Sequence, residues 1–350
     1  MISDIRLQHF RSYKDATFEF GPGVNIIVGP NGSGKTNLLE SLQILSIGKS
    51  YRVQDVELLE FEEPWFRLDA HLENGTYTRV VKFVTSPRQQ KTFELDGVIH
   101  RSLNFEHTTP VVLFEPNNLF LLHGAPENRR AYLDDILEQI QPGYSSLRKH
   151  YKRTLAQRNA LLKKGVTSSQ EMFPWDLRLS ELGAVIARSR AGLVDKFSES
   201  LGDLYATISH TNKKVQLRYD TQFPIESYET HLLQKLESAL ARDIARGFTA
   251  YGPHREDMTV TFDEHAAAEV ASRGEVRTVV LALKILELEM IEEVRGKTPL
   301  LLLDDVFSEL DGTRRRALTD YLQRYQTFLT TTDADLVVKH FTSSTILPLV

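Results

Sequence analysis

The 350-residue sequence predicts an α/β fold in which strand-rich segments from both ends of the chain flank a mainly helical middle. Three observations support this prediction. Residues 24–28 form a short apolar run rich in β-branched side chains, which indicates a buried strand, and leucines at helical spacing follow it. Residues 300–303 form a second apolar run near the other end of the chain. From about Asn128 to Gly247, long stretches nearly free of proline and glycine are typical of helices.

A glycine-rich loop, Gly29 to Thr36, joins the first strand to the helix and fits the pattern G-x-x-x-x-G-K-[ST]. Its glycines permit turns in which backbone N–H groups converge on phosphate oxygens at the start of a helix. Lys35 is predicted to reach the β- and γ-phosphates of a nucleotide, and the Thr36 hydroxyl to bind Mg²⁺. The predicted nucleotide-binding residues of this segment are Asn31, Gly32, Ser33, Gly34, Lys35, Thr36 and Asn37.

Two acidic residues, Asp304 and Asp305, directly follow the apolar run at residues 300–303. Because the carboxyl ends of parallel strands meet at one edge of a sheet, Asp304 is expected beside the loop, where it would bind Mg²⁺ together with Thr36. Asp305 would orient and deprotonate the attacking water. The sequence therefore predicts Asp305 and Lys35 as catalytic residues.

Ser272 and Gly274 stand immediately before another predicted helix, from Val276 to Val294. A hydroxyl group and free backbone N–H groups at a helix N-terminus can bind a phosphate. Ser-x-Gly before a helix is also a common N-cap, and the residues alone leave both interpretations open.

Composition limits the possible classes of protein. Hydrophobic residues make up 41% and charged residues 25% of the chain, as in an ordinary globular protein, and the absence of cysteine excludes disulfides and thiolate zinc sites. No apolar run approaches the ~18–20 residues of a membrane-spanning helix. We therefore expect a cytoplasmic protein with no membrane partner.

The net charge of −5 argues against attraction to nucleic acid over the whole surface, yet residues 139–170 contain no acidic side chain. At helical spacing their cations form rows that could follow DNA phosphates, or could simply be a solvated helix face. No base-reading module accompanies them, so contacts to backbone or duplex shape are expected. A second, smaller basic group follows the loop helix. The predicted DNA-binding residues are Arg148, Lys149, Lys152, Arg153, Arg158, Lys49 and Arg52.

The order of the motifs along the chain is their most specific property. It is similar to that of the ABC-type ATPase heads of the SMC-like group, and within that group the chain resembles the RecF family over almost its whole length. Besides the loop at residues 29–37, the resemblance rests on Phe10-Arg11-Ser12-Tyr13, Gly48-Lys49-Ser50-Tyr51-Arg52, Arg129-Arg130-Ala131-Tyr132-Leu133-Asp134, Gln157-Arg158-Asn159-Ala160-Leu161-Leu162-Lys163, Gly252-Pro253-His254-Arg255-Glu256-Asp257 and Leu303-Asp304-Asp305-Val306-Phe307-Ser308-Glu309-Leu310-Asp311.

The resemblance implies an ABC-type, SMC-head-like ATPase domain made of residues 1–115 and 250–350, with residues 116–249 as an inserted helical subdomain. It implies that two copies close head to tail with ATP and Mg²⁺ between them. The nucleotide would then contact residues of both copies: Arg11 (on the adenine side), Lys35, Thr36 and Asp304 of one, and Ser272 and Gly274 of the other.

By the same resemblance, the expected duty is ATP-dependent DNA binding in recombinational repair. The protein would dimerise on double-stranded or gapped DNA, release it after slow hydrolysis, and help RecO and RecR to load RecA. Two departures from the family pattern bear on this. Glu275 and Val276 stand where relatives carry glutamine, and an acid near phosphate is repulsive unless Arg273 or Arg277 neutralises it. Thr330-Thr331-Thr332-Asp333 stands where many ABC ATPases have a histidine, so slow hydrolysis is expected.

A weak DNA-stimulated ATPase that acts as a switch is the expected activity, and three other interpretations compete with it. A clamp that binds ATP and DNA with negligible turnover fits the same motifs and stays open. A transport ATPase subunit would dock on a membrane permease, which no segment suggests. An SMC-type tether would need long heptad arms that 350 residues do not contain.

Overall fold

A computed structural model describes residues 1–73, 75–165, 168–341 and 343–349. Its strands are β1 (Ile2–Phe10), β2 (Tyr13–Glu19), β3 (Val24–Val28), β4 (Trp65–Leu72), β5 (Tyr77–Val84), β6 (Gln90–Leu95), β7 (Val98–His100), β8 (Val111–Phe114), β9 (Val215–Asp220), β10 (Asp257–Phe262), β11 (His265–Ala266), β12 (Leu300–Asp304), β13 (Thr327–Thr331) and β14 (Thr345–Pro348). Its helices are α1 (Lys35–Ile47), α2 (Pro126–Ile140), α3 (Tyr144–Lys163), α4 (Ser169–Ser209), α5 (Tyr228–Ser238), α6 (Leu240–Arg246), α7 (Ala267–Val270), α8 (Arg273–Arg295), α9 (Val306–Glu309), α10 (Gly312–Leu322) and α11 (Ala334–Val338). Within the described ranges, none of these helices combines the length and apolar character that crossing a membrane requires.

The first compact unit consists of Met1–Leu119 and Glu287–Val350, so both ends of the chain build it. It contains an antiparallel sheet in the order β2-β1-β4-β5-β6-β7 and a parallel sheet in the order β14-β3-β13-β12-β8. In the parallel sheet, β3 from the early part of the chain lies between β13 and β14 from the late part. The late segment is therefore an integral part of the sheet.

The leucines that predicted helix α1 form its buried face. Leu38, Leu39, Leu42 and Leu45 are each at most 1% exposed and pack in the core between the sheets, where β1 contributes further apolar side chains. Burying one such side chain stabilises the fold by roughly 1.5–3 kcal/mol. The helix that follows the glycine-rich loop is thus anchored along its length.

The second compact unit, Phe120–Leu286, contains α2 to α7, the first part of α8 and a small antiparallel sheet in the order β11-β10-β9. Its extent differs from the predicted insertion at residues 116–249. The reason is strand pairing: β10 lies antiparallel to β9, and Asp257 at its start accepts two hydrogen bonds from Arg129 of α2, at 2.8 and 2.6 Å. Residues 250–286 are therefore part of the second unit.

Candidate functional site

The register of the parallel sheet aligns the carboxyl ends of three strands. Leu303 of β12 pairs with Leu329 of β13, and Thr330 pairs with Ile27 of β3. The segments that leave these strands therefore emerge at one edge, as open α/β sheets place their ligand sites. They are the glycine-rich loop after β3, the two aspartates at the end of β12, and the threonines at the end of β13.

The glycine-rich loop has the backbone that its sequence predicts. Gly32 and Gly34 have φ values of 86° and 97°, in the left-handed region that L side chains disfavour. A Cβ atom on Gly34 would also lie 2.7 Å from the Tyr13 hydroxyl oxygen. That hydroxyl donates a hydrogen bond to the Gly34 carbonyl at 3.1 Å, and Asn37 Nδ2 donates to Ser12 Oγ at 3.0 Å. Residues of the Phe10–Tyr13 motif therefore brace the loop from outside.

Lys35 spans the loop from inside. Its side chain is 8% exposed, and its Nζ donates to the carbonyl oxygens of Gly29 and Pro30 at 2.7 and 2.8 Å. The Ser33 hydroxyl is buried and has no hydrogen-bond partner in the described part of the chain. The Lys35 ammonium and the Ser33 hydroxyl can therefore both donate further hydrogen bonds where the loop leads into α1.

Three oxygen-bearing side chains meet opposite Lys35. Thr36 Oγ1 and Thr330 Oγ1 both donate to Asp304 Oδ1, at 3.1 and 2.8 Å. Thr330 Oγ1 also accepts a hydrogen bond from the Asp305 backbone N–H at 2.9 Å. In the sequence, Thr330 stands out only as part of a segment where many ABC ATPases have a histidine. The sequence feature that indicates its role is its position at the end of an apolar strand beside β12.

Asp305 has two unusual properties. Its φ is 52°, a strained value for this residue type, and its Oδ1 is buried without a hydrogen-bond partner among the described residues. Burial raises the pKa of the Asp305 carboxyl above its ordinary value, and the neighbouring Asp304 carboxylate raises it further. A carboxylate oxygen without a partner beside a cavity is available to accept a proton from a ligand or a water molecule.

These groups surround a cavity of about 270 Å³, lined by Asn31, Gly32, Gly34, Lys35, Thr36, Asn37, Arg52, Asp304 and Asp305. The donor set fits a triphosphate with Mg²⁺. Threonine and carboxylate oxygens are hard ligands of the kind Mg²⁺ binds. The Oδ1 of Asp305 has no hydrogen-bond donor among the described residues and can accept one from a ligand. Two cationic side chains and a glycine-rich backbone supply the opposite charge.

Arg52 was predicted to bind DNA, but the structure places it in the lining of this cavity. Arg11 was predicted near the nucleotide; in the structure its Nε and Nη2 donate to the two carboxylate oxygens of fully buried Glu40, at 2.9 and 3.1 Å. Ser50 Oγ donates to the same carboxylate and accepts from the Arg52 backbone N–H at 2.9 Å. Arg11 therefore supports the turn that presents Arg52, while Lys49 of the same turn is exposed.

Ser272 caps helix α8 in the second unit. Its backbone N–H donates to Glu275 Oε2 at 2.8 Å, and the Glu275 N–H donates to Ser272 Oγ at 3.3 Å, which is a capping box. The Gly274 carbonyl accepts from Thr278 Oγ1 at 3.0 Å. The pKa of Glu275 falls to about 2, first because of its ion pair with Lys213 and then because of the Ser272 N–H. Lys213 lies 62 residues upstream, and no feature of the sequence pointed to it.

The structure overturns one predicted DNA contact. Arg158 is 0% exposed, with its Nε donating to Asp176 Oδ1 at 2.6 Å and its Nη1 to Asp243 Oδ2 at 2.8 Å. Buried arginine requires such pairing, and a side chain without exposed surface has no access to DNA. Tyr144 and Tyr151, seven residues apart with Arg158 seven further on, are also buried. That spacing marks the inner face of α3 and would have identified Arg158 as internal.

The other predicted contacts on α3 divide into two groups. The Arg148 guanidinium lies near three acidic side chains and donates to Glu138 Oε1 at 2.8 Å, so its charge is largely neutralised. Lys149, Lys152 and Arg153 are exposed on the helix surface. Burial lowers the pKa of Lys152, with nearby Arg148 adding to the effect.

Comparison with known proteins places this geometry in context. The model of the RecF/RecN/SMC N terminal domain family matches residues 1–344. The DNA replication and repair protein RecF of Heliobacterium modesticaldum is 35% identical over 343 residues, which cover 95% of this chain and 92% of that protein. RecF of Synechococcus sp. (strain JA-3-3Ab) is 35% identical over 342 residues, 94% of this chain and 90% of that protein.

Solved structures give the same result. The recombination mediator protein RecF with ATP, in the RecFOR pathway, superposes with a TM-score of 0.85 at 31% identity over 95% of this chain and 92% of that one. An SMC head bound to the C-winged helix domain of ScpA shares the fold, with a TM-score of 0.52 at 15% identity over 98% and 92% of the two chains. These matches confirm the predicted α/β fold, an SMC-head-like ATPase domain formed from both chain ends with an inserted, mainly helical part.

Proposed function

The chain belongs to the RecF family, and from this premise we propose that it is an ATP-dependent DNA-binding protein of recombinational repair. The observation that carries the proposal is the cavity where Lys35 and Arg52 face Thr36, Asp304 and Asp305. Cations, backbone donors and hard oxygen ligands around one cavity form a set that suits a triphosphate and a divalent cation. A RecF with ATP bound, similar over almost the whole chain, supports ATP as the ligand.

Each side chain has a specific task in this proposal. Lys35 leaves the loop carbonyls and binds the β- and γ-phosphates, and the Arg52 guanidinium binds a phosphate oxygen from the other side of the cavity. Thr36 and Asp304 hold Mg²⁺, which neutralises phosphate charge when bound. Thr330 keeps Asp304 oriented through its hydrogen bond.

Asp305 is the proposed general base. Its unpartnered Oδ1 accepts a proton from a water molecule whose oxygen forms a new bond to the γ-phosphorus while the bond between that phosphorus and the bridging oxygen of ADP breaks. The raised pKa of Asp305 makes it a better proton acceptor than an ordinary aspartate. Because Thr330 is committed to Asp304 and to the Asp305 backbone, no histidine-like contact to the γ-phosphate is available from this position, and slow hydrolysis is expected.

ATP bound between two copies of the chain would hold them together as a dimer. Ser272 and Gly274 at the start of α8 would contact the γ-phosphate bound by a second copy, so that loss of that phosphate opens the dimer. Exposed Lys149, Lys152 and Arg153 on α3 would bind duplex DNA through its phosphates, and Lys49 of the first unit is a separate candidate contact. By analogy with the RecFOR pathway of the solved relative, gapped DNA, RecO, RecR and indirectly RecA are the proposed partners.

Sedimentation at micromolar protein tests the dimer, with and without ATP. We expect the wild type to dimerise only with ATP, and Lys35→Met and Ser272→Arg to stay monomeric; thermal unfolding verifies that both variants are folded under the conditions used. Lys14→Met, at an exposed lysine of the same unit, serves as the matched control and is expected to behave as the wild type. An unchanged sedimentation coefficient of the wild type with ATP would contradict the shared-site proposal.

A clamp with negligible turnover is the second candidate function. The engagement of Thr330 with Asp304 and Asp305 favours it, since the γ-phosphate then has one contact fewer in the hydrolysing state. Single-turnover hydrolysis with and without duplex DNA distinguishes the two candidates. DNA stimulation that depends on Asp305 supports the switch, and a rate no higher than that of Asp305→Asn supports the clamp.

A further inference from the structure

A histidine and two glutamates meet in the first unit, where the end of β1 runs beside the segment that leads into β4. The two segments are antiparallel: Phe10 pairs with Leu59, and the Glu60 backbone N–H donates to the His9 carbonyl at 3.0 Å. The Glu63 backbone N–H donates to the Glu60 carbonyl at 3.1 Å, and this turn brings the Glu63 side chain back toward His9. Backbone hydrogen bonds therefore place all three side chains.

The polar atoms of these side chains converge at distances that suit the ligands of one metal ion. His9 Nδ1 lies 2.9 Å from Glu60 Oε2 and 3.7 Å from Glu63 Oε1, and the three ligand atoms all lie within 4.8 Å of one another. Ligand atoms at about 2.1 Å from a tetrahedral ion are roughly 3.4 Å apart, which falls between the two distances from His9. Small side-chain rotations would thus bring all three atoms onto one ion.

The group has an excess of negative charge. One imidazole faces two carboxylates, and the side chains of Glu60 and Glu63 are only 16% and 36% exposed. Among the residues that the structure describes, no lysine or arginine lies within ion-pair distance of either carboxylate. Partly buried carboxylates without compensation cost free energy, and a divalent cation supplies the missing positive charge.

The imidazole ring of His9 is held in orientation and is accessible from solvent. It packs edge to face against the Trp65 ring, with the ring centroids 4.6 Å apart and the planes at 79°. The His9 side chain is 27% exposed, so an ion can reach the three ligand atoms from solvent. A water molecule can then take the fourth position of a tetrahedral ion.

We propose that His9, Glu60 and Glu63 bind one divalent transition-metal ion, with Zn²⁺ as the representative of that class. An imidazole nitrogen, two carboxylate oxygens and a water oxygen form a four-coordinate set that Zn²⁺ accepts. Mg²⁺ suits the set poorly, because it requires nearly octahedral oxygen ligands and loses its water reluctantly. The ion would link the end of β1 to the segment before β4, beside the Phe10–Tyr13 motif that braces the glycine-rich loop. It uses none of the residues assigned to the Mg²⁺ of ATP, so the inference does not depend on the proposed function.

Calorimetric titration with Zn²⁺ tests the site on the full chain, freed of metal by a chelator, without ATP and at about pH 8, where protons compete little for the ligands. We expect one Zn²⁺ site in the wild type and no comparable binding of Mg²⁺. His9→Gln and Glu63→Gln should each weaken Zn²⁺ binding about 100-fold or more, since even the loss of an outer-shell partner costs about 10- to 100-fold. Zn²⁺ should raise the thermal unfolding midpoint of the wild type and leave that of both variants unchanged.

Co²⁺ shows where the ion binds. The chain has two tryptophans, and Trp175→Phe leaves Trp65, beside His9, as the only one. Paramagnetic Co²⁺ on His9 should quench the Trp65 fluorescence to a saturating level. Zn²⁺, which binds such sites more tightly than Co²⁺, should restore it by displacement. Quenching that does not saturate would place the ion elsewhere and overturn the inference.

Glu62→Gln is the matched control, because it removes the same charge from an exposed side chain of the same turn. His71→Gln is the second control, since His71 pairs with a single carboxylate, that of Asp4. Both should bind Zn²⁺ as the wild type does. A wild type without a one-site Zn²⁺ isotherm, Mg²⁺ binding of equal strength, or equal losses in Glu62→Gln and Glu63→Gln would each overturn the inference. Sedimentation with ATP decides the proposed function separately, so the two can fail independently.

Discussion

Charged side chains serve opposite purposes at the carboxyl edge of the parallel sheet and in the interior of the second unit. At the sheet edge, Lys35 and Asp305 border a cavity, and Asp305 Oδ1 has no partner in the part of the chain that the structure describes. In the second unit, Arg158 is enclosed by two carboxylates and Glu256 by hydroxyl groups. The groups at the sheet edge form an incomplete set, because a buried polar atom among them lacks a hydrogen-bond partner. The groups in the second unit form a closed set, because they are paired with one another.

The difference separates binding from support. A buried polar group without a partner costs free energy that a ligand can recover, so an incomplete set indicates a site. A closed set holds its neighbours in one arrangement and offers nothing to a ligand. Changes in the closed set should therefore act on stability, and changes at the sheet edge should act on nucleotide chemistry.

The largest expected effect is in the closed set. Arg158→Met leaves the carboxylates of Asp176 and Asp243 buried without compensation, and we expect the free energy of unfolding to fall by about 3–5 kcal/mol. Chemical denaturation measures it. Arg153→Met, five residues away on the outer face of α3, is the control and should change stability by less than about 0.5 kcal/mol. Equal stabilities of the two variants would break the distinction between closed and incomplete sets.

At the sheet edge, Asp305→Asn removes the proposed base while keeping the shape of the side chain. We expect single-turnover hydrolysis to slow roughly 10²- to 10³-fold, within the range of general-base effects. Thermal stability should hold or rise, because the amide carries no charge at the position where Oδ1 of the carboxylate is buried without a partner. Rapid-quench measurement gives the rate, with ATP affinity measured in parallel. A variant that binds ATP and hydrolyses it at the wild-type rate excludes Asp305 as the base.

His254 tests the closed set by pH, because its Nε2 lies 3.1 Å from the carbonyl oxygen of Thr249, whose hydroxyl accepts a hydrogen bond from Arg158. Burial lowers the pKa of His254 to about 4, from an ordinary value near 6.5 in the unfolded chain. Below pH 6.5 the unfolded chain binds a proton that the folded chain does not, so stability falls between pH 6.5 and 4, by about 2 kcal/mol at pH 5. In His254→Gln this part of the acid sensitivity should disappear. Urea unfolding at pH 7 and pH 5 measures this loss of stability in the wild type and the variant. Identical pH dependence in both proteins would exclude His254 as its source.

Substitutions on the outer face of α3 should affect only DNA binding. Replacing Lys152 and Arg153 together by glutamine is expected to weaken duplex binding about tenfold at moderate salt and to reduce the slope of log affinity against log salt by about 2. The matched pair Arg188→Gln with Lys196→Gln, exposed on α4, should leave the slope unchanged. An unaltered slope in the α3 variant would remove this face from the DNA contact.

The smallest expected effect is at Glu275. Glutamine at this position keeps the capping box with Ser272 but removes a negative charge from the proposed phosphate contact. The ATP concentration for half-dimerisation should fall about two- to fivefold, and Lys213→Ala should raise it by a similar factor. Glu269→Gln removes the same negative charge at an exposed position of α7 and is the control for the change in net charge. Sedimentation across an ATP series gives both values.

Sequence reasoning succeeded where function depends on consecutive residues. The loop at residues 29–36 needs left-handed glycines, a lysine and a threonine in fixed order, and all are adjacent in the chain. Thr330 and Lys213 were missed because no motif marks them and they meet their partners only across 26 and 62 residues, whereas a motif marked Asp304 even though Thr36 lies 268 residues away. Arg158 was misassigned because helical spacing defines faces without saying which face is buried, and only the two tyrosines at heptad spacing distinguish it from Arg153.

The composite parallel sheet has a consequence for how the protein is made. Strand β3 lies between β13 and β14, and the Ile2 backbone exchanges hydrogen bonds with the Gln326 side chain at 2.8 and 2.7 Å. The second unit is continuous in sequence, so it can fold on the ribosome while its flanking segment waits for strands not yet translated. A nascent chain that has not passed residue 348 has no finished phosphate pocket. Sensitivity to ATP would then begin only when translation of this segment is complete, after the second unit has already taken shape.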